Sequence, residues 1–288
     1  MDQQIIELYD RYTHGGIGRR EFMSRLAKLV GGTQAAAMLL PALRNDYAAK
    51  PIVSAADAHI RVDYITFPGA SGEVRAYHAA PEGEAPFPAV VVIHENRGLN
   101  PHIEDVARRA AAAGFWAIAP DALSPLGGTP SNEDEARGML GQLDSDTTRG
   151  DFLAAVAFAS NHDHTNGKVG CVGFCWGGAM ANQLAVHSDD LSAAVAFYGR
   201  QPDPDEVDMI DCPVMLHYAG LDERINAGIA DYEAALKEAG VGYQVFMYPD
   251  VNHAFHNDTS PTRYDEDAAR LAWSRTIEFF NETLRNGE

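Results

Sequence analysis

An alternation of strand-like and helix-like segments runs from about residue 60 to the end of the chain, and it constrains the fold more than any other feature. A continuous β-branched run, "PAVVVIHE", is typical of a strand buried on both faces of a parallel sheet, and the amphipathic segment "IEDVARRAAAAGF" follows it. Strand-like runs recur between helical segments at "WAIAP", "KVGCVGF", "AAVAFYG", "PVMLHYAG" and "YQVFMYP". This pattern predicts a doubly wound, mostly parallel α/β sheet flanked by helices, with a ligand site beyond the carboxyl ends of its strands.

The segment before this alternation has a different pattern, which predicts a small N-terminal helical extension over residues 1–50 and a main domain over 58–288. The stretch "QQIIELYDRY" places Ile5, Leu8 and Tyr9 on one helix face, and a second helix begins near Arg19 after the Gly-Gly break at 15–16. From residue 60 the segments "HIRVDYITF" and "EVRAYHAA" alternate polar and apolar residues, which predicts an antiparallel hairpin at the sheet edge.

The extension also contains a pattern similar to a twin-arginine export signal. Arg19 and Arg20 are followed by Phe22 and a run rich in Gly, Ala and Leu, but Arg25 and Lys28 interrupt the region that such a signal keeps apolar. The apolar run is too short and too broken to span a membrane. We therefore expect a helix that packs on the main domain of a cytoplasmic protein, with periplasmic export as the alternative.

Composition excludes several classes of partner. The chain has 288 residues with 22 Lys and Arg against 41 Asp and Glu, a formal net charge of -19, which argues against binding a nucleic-acid backbone. The three cysteines, Cys171, Cys175 and Cys212, show no CxxC or Cys/His zinc spacing, so we expect free thiols and neither a metal nor another cofactor.

Cys175 lies in "GFCWGG", between the predicted strand "KVGCVGF" and a helix that begins near Gly177. This strand-turn-helix context is that of a nucleophile elbow, in which flanking glycines allow the strand and the helix to approach closely. The helix N-terminus also favours a thiolate. The alternative is a buried cysteine that only packs in the core.

A nucleophile of this kind needs a base and an acid that orients the base, in the chain order nucleophile, acid, base. Asp222 follows the strand "PVMLHYAG" and His253 follows "YQVFMYP", which gives that order. Each has an ordinary alternative, since Asp222 also suits a helix cap and the chain has 11 histidines. His217 and His256 compete with His253, but His217 lies inside a buried strand and His256 lies further along its loop. A metal site at His253, His256 and Asp258 lacks any known ligand spacing.

Glu95 ends the strand "PAVVVIHE" and is expected to face the same opening as the thiol, unless it is an exposed charge that caps a turn. The backbone N–H groups of Asn96 and Trp176 occupy the positions of a two-donor oxyanion hole.

Taken together, Glu95 in "HENRGLN", Cys175 in "GFCWGG", Asp222 in "GLDERI" and His253 in "NHAFHND" resemble the dienelactone hydrolase (carboxymethylenebutenolidase-like) family of α/β-hydrolases over roughly residues 60–284. The helical extension is similar to that of a longer subgroup. The resemblance implies a cofactor-independent hydrolase of small-molecule esters or lactones, in which Cys175 attacks the carbonyl, His253 is base and acid, and Asp222 orients the imidazole. It also implies that Glu95 interacts with the thiol and helps to generate the thiolate.

One position departs from the family pattern, because the arginine that binds the lactone carboxylate four residues after the histidine is here Asn257. Arg97 or Arg200 could replace that cation, and Trp176 and Tyr198 could line an acyl pocket. Phe115 and Trp116 are expected in the core. The alternative function is a thiol-based redox-sensing or binding protein on a hydrolase scaffold. The N-terminal helices could also mediate a homo-oligomer.

Overall fold

The computed structural model describes residues 1–285 and contains eight strands and ten helices over that range. The strands are β1 (Ile60–Gly69), β2 (Gly72–Pro81), β3 (Phe87–Ile93), β4 (Trp116–Pro120), β5 (Thr165–Phe174), β6 (Leu191–Phe197), β7 (Val214–Ala219) and β8 (Tyr243–Tyr248). The helices are α1 (Gln3–Thr13), α2 (Arg19–Val30), α3 (Thr33–Leu43), α4 (Pro101–Ala112), α5 (Glu133–Leu140), α6 (Ser145–Ser160), α7 (Trp176–His187), α8 (Glu223–Asn226), α9 (Ile229–Ala239) and α10 (Glu266–Leu284).

All eight strands form one sheet in the order β1-β2-β4-β3-β5-β6-β7-β8. The hairpin β1-β2 is antiparallel and β2 also pairs antiparallel with β4, whereas every pairing from β4 to β8 is parallel. Parallel strands need crossover connections, and these contain α-helices except between β6 and β7, where a short 3-10 helix lies at Pro204–Met209. The predicted mostly parallel α/β fold is therefore confirmed.

Apolar side chains cover both faces of the parallel part of this sheet. In β3 every residue after Phe87 is buried, as expected for a strand with helices on both sides. One apolar cluster includes Trp116 and the other Phe115, so these two aromatic residues pack in the core. The double covering leaves the ends of the strands as the natural place for a ligand.

Helices α1 to α3 have a small apolar core of their own, which includes Tyr9, Tyr12, Phe22 and Leu26. The second predicted helix is divided, because Gly31 adopts a left-handed φ of +83° and ends α2. Within residues 1–285, no single helix is long and apolar enough to cross a membrane; α2 and α3 together pass by length and composition, but they are bent by 109°.

One part of the main domain that contacts the extension is α5, a helix that the sequence pattern did not predict. Arg19 at the start of α2 forms an ion pair with Asp134 of α5 at 2.6 Å, and the Tyr12 hydroxyl donates to the same carboxylate at 2.9 Å. Further along the chain, the Asp46 N–H donates to the Thr259 carbonyl at 2.6 Å. These contacts hold the end of α1 over the carboxyl ends of the central strands.

Candidate active site

Cys175 lies at the tight turn between β5 and α7, with φ +56° and ψ -112°. A positive φ is strained for a residue with a Cβ, and such strain is typical of a side chain held for function. The Cys175 N–H donates to the Phe197 carbonyl at 3.0 Å, which fixes the turn to β6. Gly173 permits the geometry, since a Cβ there would lie 1.8 Å from the Gly177 carbonyl oxygen. The turn therefore presents the thiol, 8% exposed, at the strand ends.

Asp222 and His253 meet in the loops that follow β7 and β8. Because these strands are neighbours in the sheet, their following loops lie side by side. His253 Nδ1 lies 2.5 Å from Asp222 Oδ2, with both side chains buried. The carboxylate also caps α8 by accepting from the Ile225 N–H at 3.3 Å. His253 Nε2 is buried and has no hydrogen-bond partner among residues 1–285, so it is available for another group.

A third side chain, from the extension, reaches the same thiol. His14 follows directly after α1, and its Nε2 lies 3.2 Å from Cys175 Sγ. His14 Nδ1 lies 2.8 Å from the Asp10 carbonyl oxygen and 3.1 Å from Asp10 Oδ1. The His14 and His253 rings meet edge to face with centroids 4.6 Å apart. The sequence pattern did not identify His14, whose only local signal is its place in "THGG", at the break between two helices.

The electrostatics of this cluster favour a thiolate. Burial opposes ionisation of Cys175, but the charges of His14 and His253 outweigh it and lower the pKa of the thiol to about 6. The pKa of His253 is raised well above its usual value, because Cys175 and Asp222 outweigh burial. The pKa of His14 is raised in the same way by Cys175 and Asp10 against burial. The cluster can thus hold a negative sulfur between two imidazolium groups.

Glu95 lies after β3 and is buried, but its hydrogen bond goes to a different group. Its Oε2 accepts from Asn257 Nδ2 at 2.8 Å, while Oε1 is buried without a partner among the described residues. Burial would raise the pKa of the Glu95 carboxyl, but the charges of His102, Arg97 and Arg263 lower it overall. Among residues 1–285 the thiol is hydrogen-bonded to His14 and not to Glu95. Asn257 lies beside Glu95 and does not line the cavity at the thiol.

The two predicted oxyanion donors lie beside the thiol. Trp176 is the first residue of α7, so its amide is one of the N–H groups that a helix start leaves without an intrahelical acceptor. Asn96 lies in the loop after β3, and its side-chain Nδ2 donates to the Thr13 carbonyl at 2.9 Å. Both residues line the cavity beside Cys175. The hydrogen bond from Asn96 therefore connects the loop after β3 to Thr13, the residue before His14.

A cavity of about 560 Å³ opens beside the thiol and is lined by Cys175, His14, His253 and Tyr198. Three cations also line it: Arg137, Arg200 and Arg224. Arg200 has no ion pair within residues 1–285, whereas Arg224 lies 4.0 Å from Asp10 and Arg137 pairs with Asp134.

Arg97, the other predicted substrate cation, is placed elsewhere. Its side chain is buried, its Nη2 donates to the Tyr9 hydroxyl at 3.2 Å, and its Nε lies 3.3 Å from Glu133. The sequence does not show that the extension supplies Tyr9 as a partner. Arg97 therefore joins the extension to α5 and does not line the cavity at the thiol.

The competing histidines have other partners. His217 Nδ1 lies 2.9 Å from the Tyr248 hydroxyl, and burial lowers its pKa to about 3. His256 stacks on Phe174 inside the core, and Asp258 pairs with His102 at 2.7 Å.

The ligand atoms of His14, Cys175 and His253 all lie within 4.8 Å of one another, so they could hold a metal ion. A metal bound there would occupy lone pairs of the Cys175 sulfur.

Comparison with known proteins identifies the family of this chain. A family model described as "Dienelactone hydrolase family" matches residues 74–284, which includes Cys175, Asp222 and His253. The chain belongs to the dienelactone hydrolase family. A second model, "YqhI-like", matches residues 1–31 of this dienelactone hydrolase family member, the segment that carries His14.

Relatives of this family member differ in how much of its length they cover. A protein of Escherichia coli O157:H7 named "Putative carboxymethylenebutenolidase" is 32% identical over 251 residues, 81% of this chain and 92% of the relative. The "Putative hydrolase fragment YghX" of Escherichia coli K12 is 50% identical over 109 residues, 37% of this chain and 93% of the fragment. A crystal structure titled as a "Putative Dienelactone Hydrolase" from Klebsiella pneumoniae superposes with a TM-score of 0.70 at 27% identity, covering 77% of this chain and 99% of the other. The protein is therefore a dienelactone hydrolase-like hydrolase of ester or lactone bonds.

Proposed function

We propose that Cys175 is the nucleophile of this hydrolase, that His253 is its general base and acid, and that Asp222 orients His253. The observation that carries the proposal is the Asp222–His253 pair at 2.5 Å, with a buried and unpartnered Nε2 on the side of the strained Cys175 turn. Covalent acyl transfer requires a nucleophile, a base beside it and an acid that orients the base, and these three residues are arranged in that order. The family match supports the assignment, because it spans all three residues.

In the proposed reaction the Cys175 thiolate attacks the carbonyl carbon of an ester or lactone and forms a C–S bond. The carbonyl electrons move to its oxygen, where the N–H groups of Asn96 and Trp176 stabilise the charge. Collapse breaks the C–O bond, and the imidazolium of His253 gives its proton to the leaving alkoxide. Water then attacks the thioester as His253 accepts its proton, the C–S bond breaks, and the thiolate returns.

The position of Arg200 supports a substrate whose acyl part carries a carboxylate. Arg200 lines the cavity at the thiol, whereas the position at which the family pattern has an arginine is occupied by Asn257, which is bound to Glu95. We propose that Arg200 is the cation that meets this carboxylate, with Trp176 and Tyr198 as the apolar walls. A guanidinium is well suited to this role, because it can bind both carboxylate oxygens.

The proposal is tested by mass spectrometry of the protein during turnover of a panel of esters and enol-lactones. We expect an acyl adduct on Cys175, and turnover of p-nitrophenyl acetate that Cys175→Ala reduces to the background rate. Cys212→Ala is the matched control, since Cys212 is a buried thiol outside the cavity. Turnover by Cys175→Ala at the wild-type rate would overturn the assignment.

A second candidate function, redox sensing, is favoured by the pKa of Cys175, which the two histidines lower to about 6 against burial. A thiolate at neutral pH is the form that peroxide oxidises. Reversible oxidation of Cys175 at micromolar peroxide, without an acyl adduct from any ester or lactone, would favour sensing over hydrolysis.

We also propose that residues 1–50 and 58–288 are two structural units of one chain. The separate apolar cluster of the extension supports this division, as does the start of the sheet at Ile60. Limited proteolysis is expected to cleave first between residues 44 and 59.

A further inference from the structure

Two histidine–carboxylate pairs face the same sulfur atom. One is His253–Asp222, from the sheet. The other is His14–Asp10, from the extension, with His14 Nε2 at 3.2 Å from Cys175 Sγ. The proton transfers of the proposed reaction need only the first pair, so the second pair has no role assigned in them.

The His14–Asp10 pair has the features of a built site. The two residues are one helical turn apart, and the side chain of each is less than a fifth exposed. Nδ1 of His14 lies 2.8 Å from the Asp10 backbone carbonyl oxygen and 3.1 Å from the Asp10 carboxylate, and this leaves Nε2 to face the sulfur. Despite burial, the charges of His253 and His14 hold the pKa of Asp10 well below its usual value, so the carboxylate stays ionised. A buried charge of this kind is unfavourable unless it has a partner.

The contact also depends on more than one flexible side chain. Thr13, the residue before His14, accepts a hydrogen bond from Asn96 through its backbone carbonyl. Tyr9, one residue before Asp10, accepts from Arg97. The end of α1 is therefore fixed to the loop after β3 on both sides of the pair, and His14 is held at the thiol.

We propose that His14 is a further catalytic residue, whose imidazolium holds Cys175 as a thiolate in the resting enzyme, and that Asp10 is a positioning residue, whose backbone carbonyl orients the His14 ring and whose carboxylate favours the protonated ring. This inference rests on the proposed function of Cys175 as the nucleophile. The thiol proton moves from Sγ to Nε2 of His14, which leaves a thiolate–imidazolium ion pair. His253 then carries the protons of acyl transfer and hydrolysis.

This assignment divides two tasks between two histidines. Glu95, which the family resemblance gives a role at the thiol, is hydrogen-bonded to Asn257 instead. The Cys175 thiol is instead in contact with His14. His14 comes from the segment outside the dienelactone hydrolase match. The extension thereby completes the active site rather than only covering it.

The protonation of His14 depends on charges from every element packed around it. Asp10 comes from its own helix, Cys175 from the turn before α7 and His253 from the loop after β8. Asp10 is in turn faced by Arg224 of α8 at 4.0 Å and by the charge of Arg263. Asp10 and the thiolate favour the imidazolium, while His253 opposes it, and burial also opposes it.

The test measures the ionisation of Cys175 directly, in the full-length protein. Alkylation by iodoacetamide is followed against pH by peptide mass spectrometry, which separates Cys175 from the other two cysteines. The wild-type midpoint is expected at about 6. His14→Gln keeps a hydrogen-bond donor without the charge, and it should raise the midpoint by about one to two pH units. Asp10→Asn should raise it by a smaller amount.

Arg25→Ala is the matched control, because Arg25 lies on the surface of α2 and pairs with Glu21. It should leave the midpoint unchanged, and circular dichroism should show that all three variants are folded. A wild-type midpoint in His14→Gln would overturn the inference. If that result accompanies an inactive Cys175→Ala, the proposed function still stands; hydrolysis by Cys175→Ala would instead overturn the proposed function itself.

Discussion

The two histidine–carboxylate pairs at Cys175 are built in different ways. His253 and Asp222 are 31 residues apart and meet because β7 and β8 are adjacent in the sheet. His14 and Asp10 are four residues apart, and the helix itself brings them together. The first pair is placed at the strand ends by the same sheet that carries Cys175. The second reaches the thiol only because the extension packs on the loop after β3.

The pairs also differ in what their free nitrogens do. His253 Nε2 has no partner within the described part of the chain, which suits a group that must accept and release protons. His14 Nε2 is engaged with the sulfur at 3.2 Å. This difference is expected if the sheet supplies the proposed proton-transfer group and the extension supplies the proposed charge-stabilising group.

The largest expected effect comes from breaking the sheet-derived pair. His253→Gln removes the group that moves protons in both steps, so kcat/KM should fall by about 10²- to 10⁴-fold. His14→Gln removes only stabilisation of the thiolate, and at pH 7 we expect a loss of less than about tenfold. Steady-state kinetics with p-nitrophenyl acetate measures both. Equal losses in the two variants would contradict the division of tasks.

Neutralising the two carboxylates is expected to affect activity to different degrees in the two pairs. Asp222→Asn should lower kcat by roughly 10²- to 10⁴-fold, because the imidazole loses the partner that fixes its tautomer. Asp10→Asn should change kcat by only a few-fold at pH 7, with a larger effect below that pH, where the thiol protonates. The pH profile of each variant is the measurement. A loss in Asp10→Asn that is equally large at every pH would show that Asp10 acts through structure alone.

Removing the thiolate provides a third test, because its negative charge raises the pKa of both histidines. In Cys175→Ala the imidazolium forms of His14 and His253 lose this stabilisation, so both should release their protons at lower pH than in the wild type. NMR titration of the imidazole C–H signals follows each ring. Asp10 and Asp222 remain in place, so the downward shifts isolate the contribution of the sulfur. An unchanged titration of His14 would show that its ring does not sense the thiolate.

Most of the fold was predictable from sequence periodicity. Continuous β-branched runs such as "PAVVVIHE" mark parallel strands because both faces of these strands are buried. The short helix α5 was not predicted, since a segment of eight residues is too short to provide a clear periodicity. The division of α2 from α3 depends on the backbone conformation at Gly31 and Gly32, and glycine alone does not specify whether a helix ends.

The site divides in the same way. Cys175, Asp222 and His253 were identified because each follows a strand of one parallel sheet, and the ends of such strands meet. His14 follows no strand, so nothing local connects it with the thiol. Arg97 is the opposite case. It follows a strand and was expected at the substrate, but its side chain is hydrogen-bonded to Tyr9 and paired with Glu133. In both cases the outcome depends on how the extension packs, a tertiary property that sequence periodicity does not contain.

The smallest expected effect concerns these two arginines. Arg200→Ala should raise KM by about tenfold for an ester whose acyl part carries a carboxylate and change it little for a neutral ester of similar size, because only the former loses an ionic contact. Arg97→Ala removes a buried ion pair between the extension and α5, so it should lower thermal stability without discriminating between the two esters. Matched KM values and melting temperatures distinguish the variants. Loss of carboxylate preference in Arg97→Ala, with Arg200→Ala unaffected, would place the substrate against the extension instead of at Arg200.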